Sequence, residues 1–227
     1  MRIIGHVRSD FATKFGVPRQ AGVIESLKST IVFKPEFRHP DAFRRIEEFS
    51  HIWVIWEFSE AKKENTSLTV RPPRLGGNTR VGVFATRSPF RPNSLGLSCV
   101  RLDRVEYTED LGTVLHISGA DMMDGTPVYD IKPYLPYTDS HPEATGGYTD
   151  GLEDGNLEVI YAKDFSSVLD ADTASHLTEV LRHDPRPSYQ NEPDRIYGMD
   201  FANYNIKFKV DGNKLVVEDI KSLNEKD

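Results

Sequence analysis

Two arginines four residues apart, Arg87 and Arg91, sit in the stretch FATRSPFRPNSLGLS, among Pro89, Pro92 and Gly96. Prolines restrict the unfolded chain, so a turn built on them is held rigid at low entropic cost. Two guanidinium forks on such a turn suit one planar anion, a carboxylate or a phosphate. They equally suit capping of backbone carbonyls or pairing with acids elsewhere, and composition leaves both readings open. A second cluster lies in DGTPVYDIKPYLPY, where Asp124, Tyr129, Asp130, Lys132 and Tyr134 crowd a turn and the extended segment after it. Composition alone favours a hairpin turn and an edge strand there. A third stretch, GVPRQAG, places Pro18, Arg19 and Gln20 in a loop, where they bond a ligand or shape the chain.

Several familiar chemistries have no signature. There is no GxGxxG after a first strand, no GxxxxGK[ST], no HExxH and no CxxC, and the seven histidines show no ligand spacing. Cys99 is the only cysteine, so an internal disulfide and a zinc cluster are excluded. RSPF and PNSLG are not nucleophile elbows of the GxSxG kind. A hydrolase using Ser88, Ser94 or Ser98 with a distant histidine is the weaker enzymatic alternative.

These loops must be carried by strands. RIIGHVRS, STIVFKPEF, HIWVIWEFSE, VGVFATR, LGLSCVRLDRVEYT and TVLHISGA have the alternation or β-branched content of strands, and VYDIKPYLPY begins extended. Pro133 requires that last strand to lie at an edge or end early. HPDAFRRIEEFSH spaces Phe43, Ile46 and Phe49 as a short helix. Six or seven strands with one helix over about 140 residues predict a barrel or sandwich. Past a composition change near 138–156, LEVIYA predicts a strand. DTASHLTEVLRHD predicts a helix capped by Asp172 or Thr173, and DPRPSYQNEPDRIYG a loop. ANYNIKFKVDGNKLVVEDIK predicts a hairpin turning at Asp211-Gly212-Asn213. The expected architecture is mainly β: a barrel over 1–140, neither Rossmann nor knotted, and a small α+β unit over 141–227.

The 227 residues carry a formal charge of -7, but the charge is segregated. Residues 71–101 hold six arginines and no acid, whereas 139–194 hold thirteen acids against Lys163, Arg182 and Arg186. A basic surface on an acidic body suits a polyanion met locally. No stretch reaches the roughly 18 apolar residues of a membrane span, and no secretory leader is evident, so a cytoplasmic protein is expected.

VPRQ at 17–20, RPPRLGGNTRVGVFATRSPFRPNSLGLSCV at 71–100 and DGTPVYDIKPYLPY at 124–137, in this order, resemble the TsaA-like, TrmO-type tRNA methyltransferases. LRHDPRPSYQ at 181–190 and the last hairpin are similar to the C-terminal part of bacterial members. The resemblance implies a β-barrel enzyme using S-adenosylmethionine, usually a homodimer with the cofactor near the subunit interface. It implies methylation of the exocyclic N6 of threonylcarbamoyl-adenosine, next to the anticodon of threonine tRNAs. By position, Pro18, Arg19 and Gln20 match the cofactor loop. Arg87, Leu97 and the turn Asp124, Gly125, Thr126 and Pro127 match cofactor-contacting positions. Ser59 and Glu60 follow the aromatic strand where relatives often have histidine at the first position. A carboxylate, Asp124 or Asp130, would take the proton of the acceptor nitrogen. Arg91 or Lys132 would hold the threonine carboxylate, with Phe90 or Tyr134 stacking on unpaired bases. In the acidic half, Arg182, Arg186 and Tyr189 are candidates for limited RNA contact. The alternative is a barrel that binds S-adenosylmethionine or RNA without catalysis.

Overall fold

The computed structural model describes residues 1–61, 67–72, 75–151, 156–186 and 192–224. Apolar side chains at every second residue force strands that bury one face. Six of them close into an antiparallel barrel: β1 (Gly5–Arg8), β2 (Lys28–Phe33), β3 (His51–Glu57), β6 (Leu95–Thr108), β7 (Gly112–Ser118) and β8 (Pro127–Pro133), ordered β1-β2-β7-β6-β3-β8. Val7, Ile31, Ile52, Val54, Trp56, Val100, Leu115, Ile117 and Val128 fill its interior. In β3 the alternation is complete: Ile52, Val54 and Trp56 point inward, while Trp53 and Ile55 lie on the outer face. Gly96 of β6 faces the Trp56 indole so closely that a Cβ would lie 2.1 Å from the ring, which is why that position has no side chain.

The second unit is a four-stranded sheet, β10-β11-β12-β9, formed by β9 (Glu158–Tyr161), β10 (Tyr197–Phe201), β11 (Tyr204–Asp211) and β12 (Lys214–Ser222). β9 runs parallel to β12, and the helix α2 (Ala171–Arg182) buries Leu177, Val180 and Leu181 in the same core. That core also takes Phe11, Ile24 and Leu27 from the segment between β1 and β2. Gly16 belongs to this bridge. Its φ of +92° and the 2.2 Å between a built Cβ and the Met199 sulfur both demand glycine.

Four expectations need correction. The predicted helix over 40–49 is instead a pair of 3₁₀ turns, Pro40–Phe43 and Ile46–Glu48, because Arg45 between them is left-handed at φ 70°. VGVFATR is a strand only at β5 (Val81–Gly82), which pairs with β4 (Thr69–Val70); it then tightens into a 3₁₀ turn at Val83–Ala85, burying Val83. Helix α2 is capped earlier than expected, by Asp170, whose carboxylate accepts from the Thr173 amide at 2.9 Å. The loop read through DRIYG contains β10, whose buried Tyr197, Met199 and Phe201 alternate with Gly198 and Asp200 and so hide a strand among residues of low strand propensity. β8 ends at Pro133, and a short helix, α1 (Pro136–Asp139), follows.

Candidate nucleic-acid and cofactor site

A cleft of about 1480 Å³ opens among the segments that connect the strands. Four segments wall it: the bridge 14–24, the arm 67–91, the connection at Gly146–Thr149 and the turn 183–186 after α2. Seven cationic side chains line it among the described residues, from Lys14, Arg19, Arg71, Arg80, Arg87, Arg91 and Arg186. Asp184 is the only acid among them. That acid is neutralised in place, since the Arg186 guanidinium forks onto it with two bonds of 2.9 Å. A low-dielectric cleft with so uneven a charge concentrates polyanions. Phe84, 76% exposed, and Phe90, 42% exposed, add apolar rings to the same wall.

The arm is braced rather than loose. Arg91 donates to the Thr86 carbonyl at 2.9 Å, Thr86 closes on Val83, and Tyr148 from the connection donates to the Ala85 carbonyl at 3.0 Å. On the opposite wall, Arg19 donates to the carbonyls of both Asp184 and Arg186 at 3.3 Å. Pro18 is buried. Gln20 turns to the other side, where its amide oxygen accepts from Arg87 at 2.5 Å. The structure thus brings Pro18, Arg19, Gln20, Arg87, Arg91 and Arg186 together at one cleft. Arg186 is itself buried, 8% exposed, over the Tyr197 ring. Ser59 and Glu60 lie on an exposed 3₁₀ turn whose next residue, Ala61, reaches the cleft wall.

The remaining candidates sit elsewhere. Register places Leu97 and Asp130 on either side of Ile55, on the outer face of the barrel. Leu97 is 59% exposed. One row along, Cys99 and Lys132 flank Trp53, whose indole donates to Asp139 at 2.9 Å and packs near Tyr134. Lys132 and Tyr134 therefore belong to this outer face and not to the cleft. The Asp124-Gly125-Thr126-Pro127 turn feeds β8. Gly125 takes φ +74°, Thr126 is buried, and Asp124 accepts from the Ser9 amide at 3.2 Å. Ser98, a nucleophile in the hydrolase reading, is buried, with its hydroxyl donated to Asp121 at 2.5 Å. Tyr189 lies outside the described residues.

One residue was missed by motif reading. Asp121 is half-buried where the chain leaves β7, between the 17–22 loop, β6 and Arg87. Burial raises its pKa, opposed by bonds from Ser98, its own backbone and the Ala21 backbone and by the Arg87 charge. Its nearness in sequence to the DGTP turn was the available signal.

The residues around Arg87 fit a zwitterionic cofactor. Arg87 suits a carboxylate, and the Gln20 carbonyl beside it suits an ammonium. The cleft proper, with seven cations and one paired acid, fits a polyanion better than a sulfonium.

Comparison with known proteins agrees along the whole chain. Residues 6–140 match the family model for the tRNA-methyltransferase O N-terminal domain, and residues 155–223 match that of the TrmO C-terminal domain. A relative from Escherichia coli K12 named tRNA (adenine(37)-N6)-methyltransferase is 38% identical over 215 residues, 91% of each chain. One from Pseudomonas aeruginosa, named a putative S-adenosylmethionine-dependent methyltransferase RcsF, is 40% identical over 204 residues, 86% of each. The crystal structure of TrmO from Pseudomonas aeruginosa superposes with a TM-score of 0.75 at 31% identity, covering 97% of both chains.

Proposed function

This chain belongs to the TrmO family, and we propose that it is an S-adenosylmethionine-dependent tRNA methyltransferase. The adenine at position 37, beside the anticodon, is the target, and its N6 receives the methyl group. The finer substrate is N6-threonylcarbamoyladenosine in threonine tRNAs. The observation that carries RNA as substrate is the cleft itself, with seven cationic side chains, one neutralised acid and two exposed phenylalanines. Such a surface holds the backbone by charge and unpaired bases by stacking.

S-adenosylmethionine, when bound, supplies an electrophilic methyl group, whose transfer needs an aligned nucleophile and exclusion of water. The chain's own residues divide the remaining work. Gln20, Arg87 and Leu97 bind the cofactor. Pro18 and Arg19 hold the loop that presents Gln20, through the carbonyls of the 184–186 turn. Asp124 through Pro127 shape the turn beside that loop, and Ser59 and Glu60 stand at its rim. Arg91 is better placed than Lys132 for the threonine carboxylate, because it lines the cleft. Asp130 is better placed than Asp124 as the base. It shares the outer row of Leu97, roughly 10 Å across two strand spacings, and its carboxylate is exposed and accepts from the Ile131 amide. That half-apolar outer face of β3, β6 and β8 is the surface a second copy would cover, bringing Leu97 and Asp130 into an enclosed site. We take 1–140 as the catalytic barrel and 141–227 as the unit that completes the cleft, with segment 9–27 bridging the two. No helix among the described residues is long and apolar enough to cross a membrane, in keeping with work on tRNA in the cytoplasm.

The cleft is tested by tRNA binding against salt. Arg71→Ala and Arg80→Ala should each flatten the slope of log affinity against log salt by about one unit. Slopes identical to that of the unaltered protein would place the RNA elsewhere.

A further inference from the structure

Asp121 ties three separate parts of the chain together. Trp56 of β3, buried in the barrel, donates its indole N–H to Ser98 Oγ at 2.9 Å. Ser98 of β6, also buried, donates onward to Asp121 Oδ1 at 2.5 Å. The Ala21 backbone and the Arg87 charge both act on Asp121, favouring its ionised form. Arg87 in turn donates to Gln20, the residue before Ala21. A backbone bond from Gly22 to Gly119, 2.9 Å, fastens the same two segments alongside. The relay starts from a fixed point, because the Trp56 ring is pressed against Gly96.

We propose that Asp121 is the positioning residue that holds the Gln20–Arg87 pair in its cofactor-binding register, through its carboxylate charge. The inference rests on the reading of that pair as the cofactor side of the site. The groups that favour the ionised carboxylate are hydrogen-bond donors or a cation: the Ser98 O–H, the backbone of Asp121 itself and of Ala21, and Arg87. An acceptor-only group suits all four. An amide of the same shape would turn its NH₂ toward a donor and lose the attraction that orients Arg87. Asp121 is not in the cleft wall, so it acts through Arg87 and the loop. Contact with RNA is not part of its role.

The test is Asp121→Asn, read in two ways. In the ligand-free protein, amide hydrogen exchange at Ala21 should speed by about tenfold, the cost of one unmade buried bond. By calorimetry, S-adenosylmethionine affinity should fall by about tenfold, while KM for tRNA stays within twofold. Ser98→Ala keeps the charge and removes one donor, so it should show both effects at roughly threefold. If Asp121→Asn does not fold, Ser98→Ala decides by the same two readings. Unchanged exchange and unchanged cofactor affinity overturn the proposal. If the unaltered protein binds no S-adenosylmethionine, the functional reading fails instead, and exchange at Ala21 still decides whether Asp121 holds the loop.

Discussion

Arg87→Ala should lower kcat/KM for methyl transfer by about a hundredfold or more, mostly through the KM for S-adenosylmethionine. Two losses combine. The charge-assisted bond to Gln20, 2.5 Å long, disappears; bonds of this kind contribute about 1.5–3 kcal/mol. Asp121 also loses the nearby positive charge that favours its ionised form, and a half-buried carboxylate without it costs more still. Since each 1.4 kcal/mol is about a factor of ten, about 3 kcal/mol gives the hundredfold. Arg87→Lys should recover only part of this, because an ammonium replaces the charge but not the planar donor fork that bonds Gln20. Steady-state kinetics with each substrate varied in turn separates the effects. A fall of less than threefold for the alanine variant would detach Arg87 from the cofactor and leave it to the RNA wall alone.

Asp130→Asn should leave both KM values nearly unchanged and cut kcat by about a hundredfold or more, the usual contribution of a general base. In the proposed substrate the acceptor nitrogen carries a carbamoyl group that delocalises its lone pair, so removal of its proton would be the demanding step. Asp124→Asn is the control. Its carboxylate already accepts the Ser9 amide, so its loss should loosen the turn and cost under tenfold. The reverse pattern, an inert Asp124→Asn beside an active Asp130→Asn, would transfer the role to Asp124.

Much of the barrel was legible because its strands alternate. HIWVIWE and LGLSCVRL announce one buried and one outer face, and β3 and β6 pair there in register. Gly212-Asn213 marks the hairpin turn between β11 and β12 just as clearly. What failed was local structure governed by one unusual residue, such as Arg45 breaking a helix, or by small residues inside a strand, as in β10. The cleft was half legible. Its basic wall shows as a run of arginines, but its other wall depends on Arg19 meeting a turn 165 residues away, and no spacing rule reports such a contact. Asp121 has only its nearness to the DGTP turn to mark it, since the groups around it, from Ser98, Ala21 and Arg87, come from different loops and strands. Leu97 and Asp130 were named from motifs; that they flank one residue of β3 emerges only from sheet register.

The most direct measurement is methyl transfer from labelled S-adenosylmethionine to two tRNA pools, one carrying threonylcarbamoyl-adenosine and one from cells unable to make it, with nucleosides resolved by mass spectrometry. Methyl gained only in the first pool, on N6 of the modified adenine at position 37, is the predicted result. No methyl in either pool, with S-adenosylmethionine still bound, would contradict it and leave a barrel that binds the cofactor without transferring its methyl group.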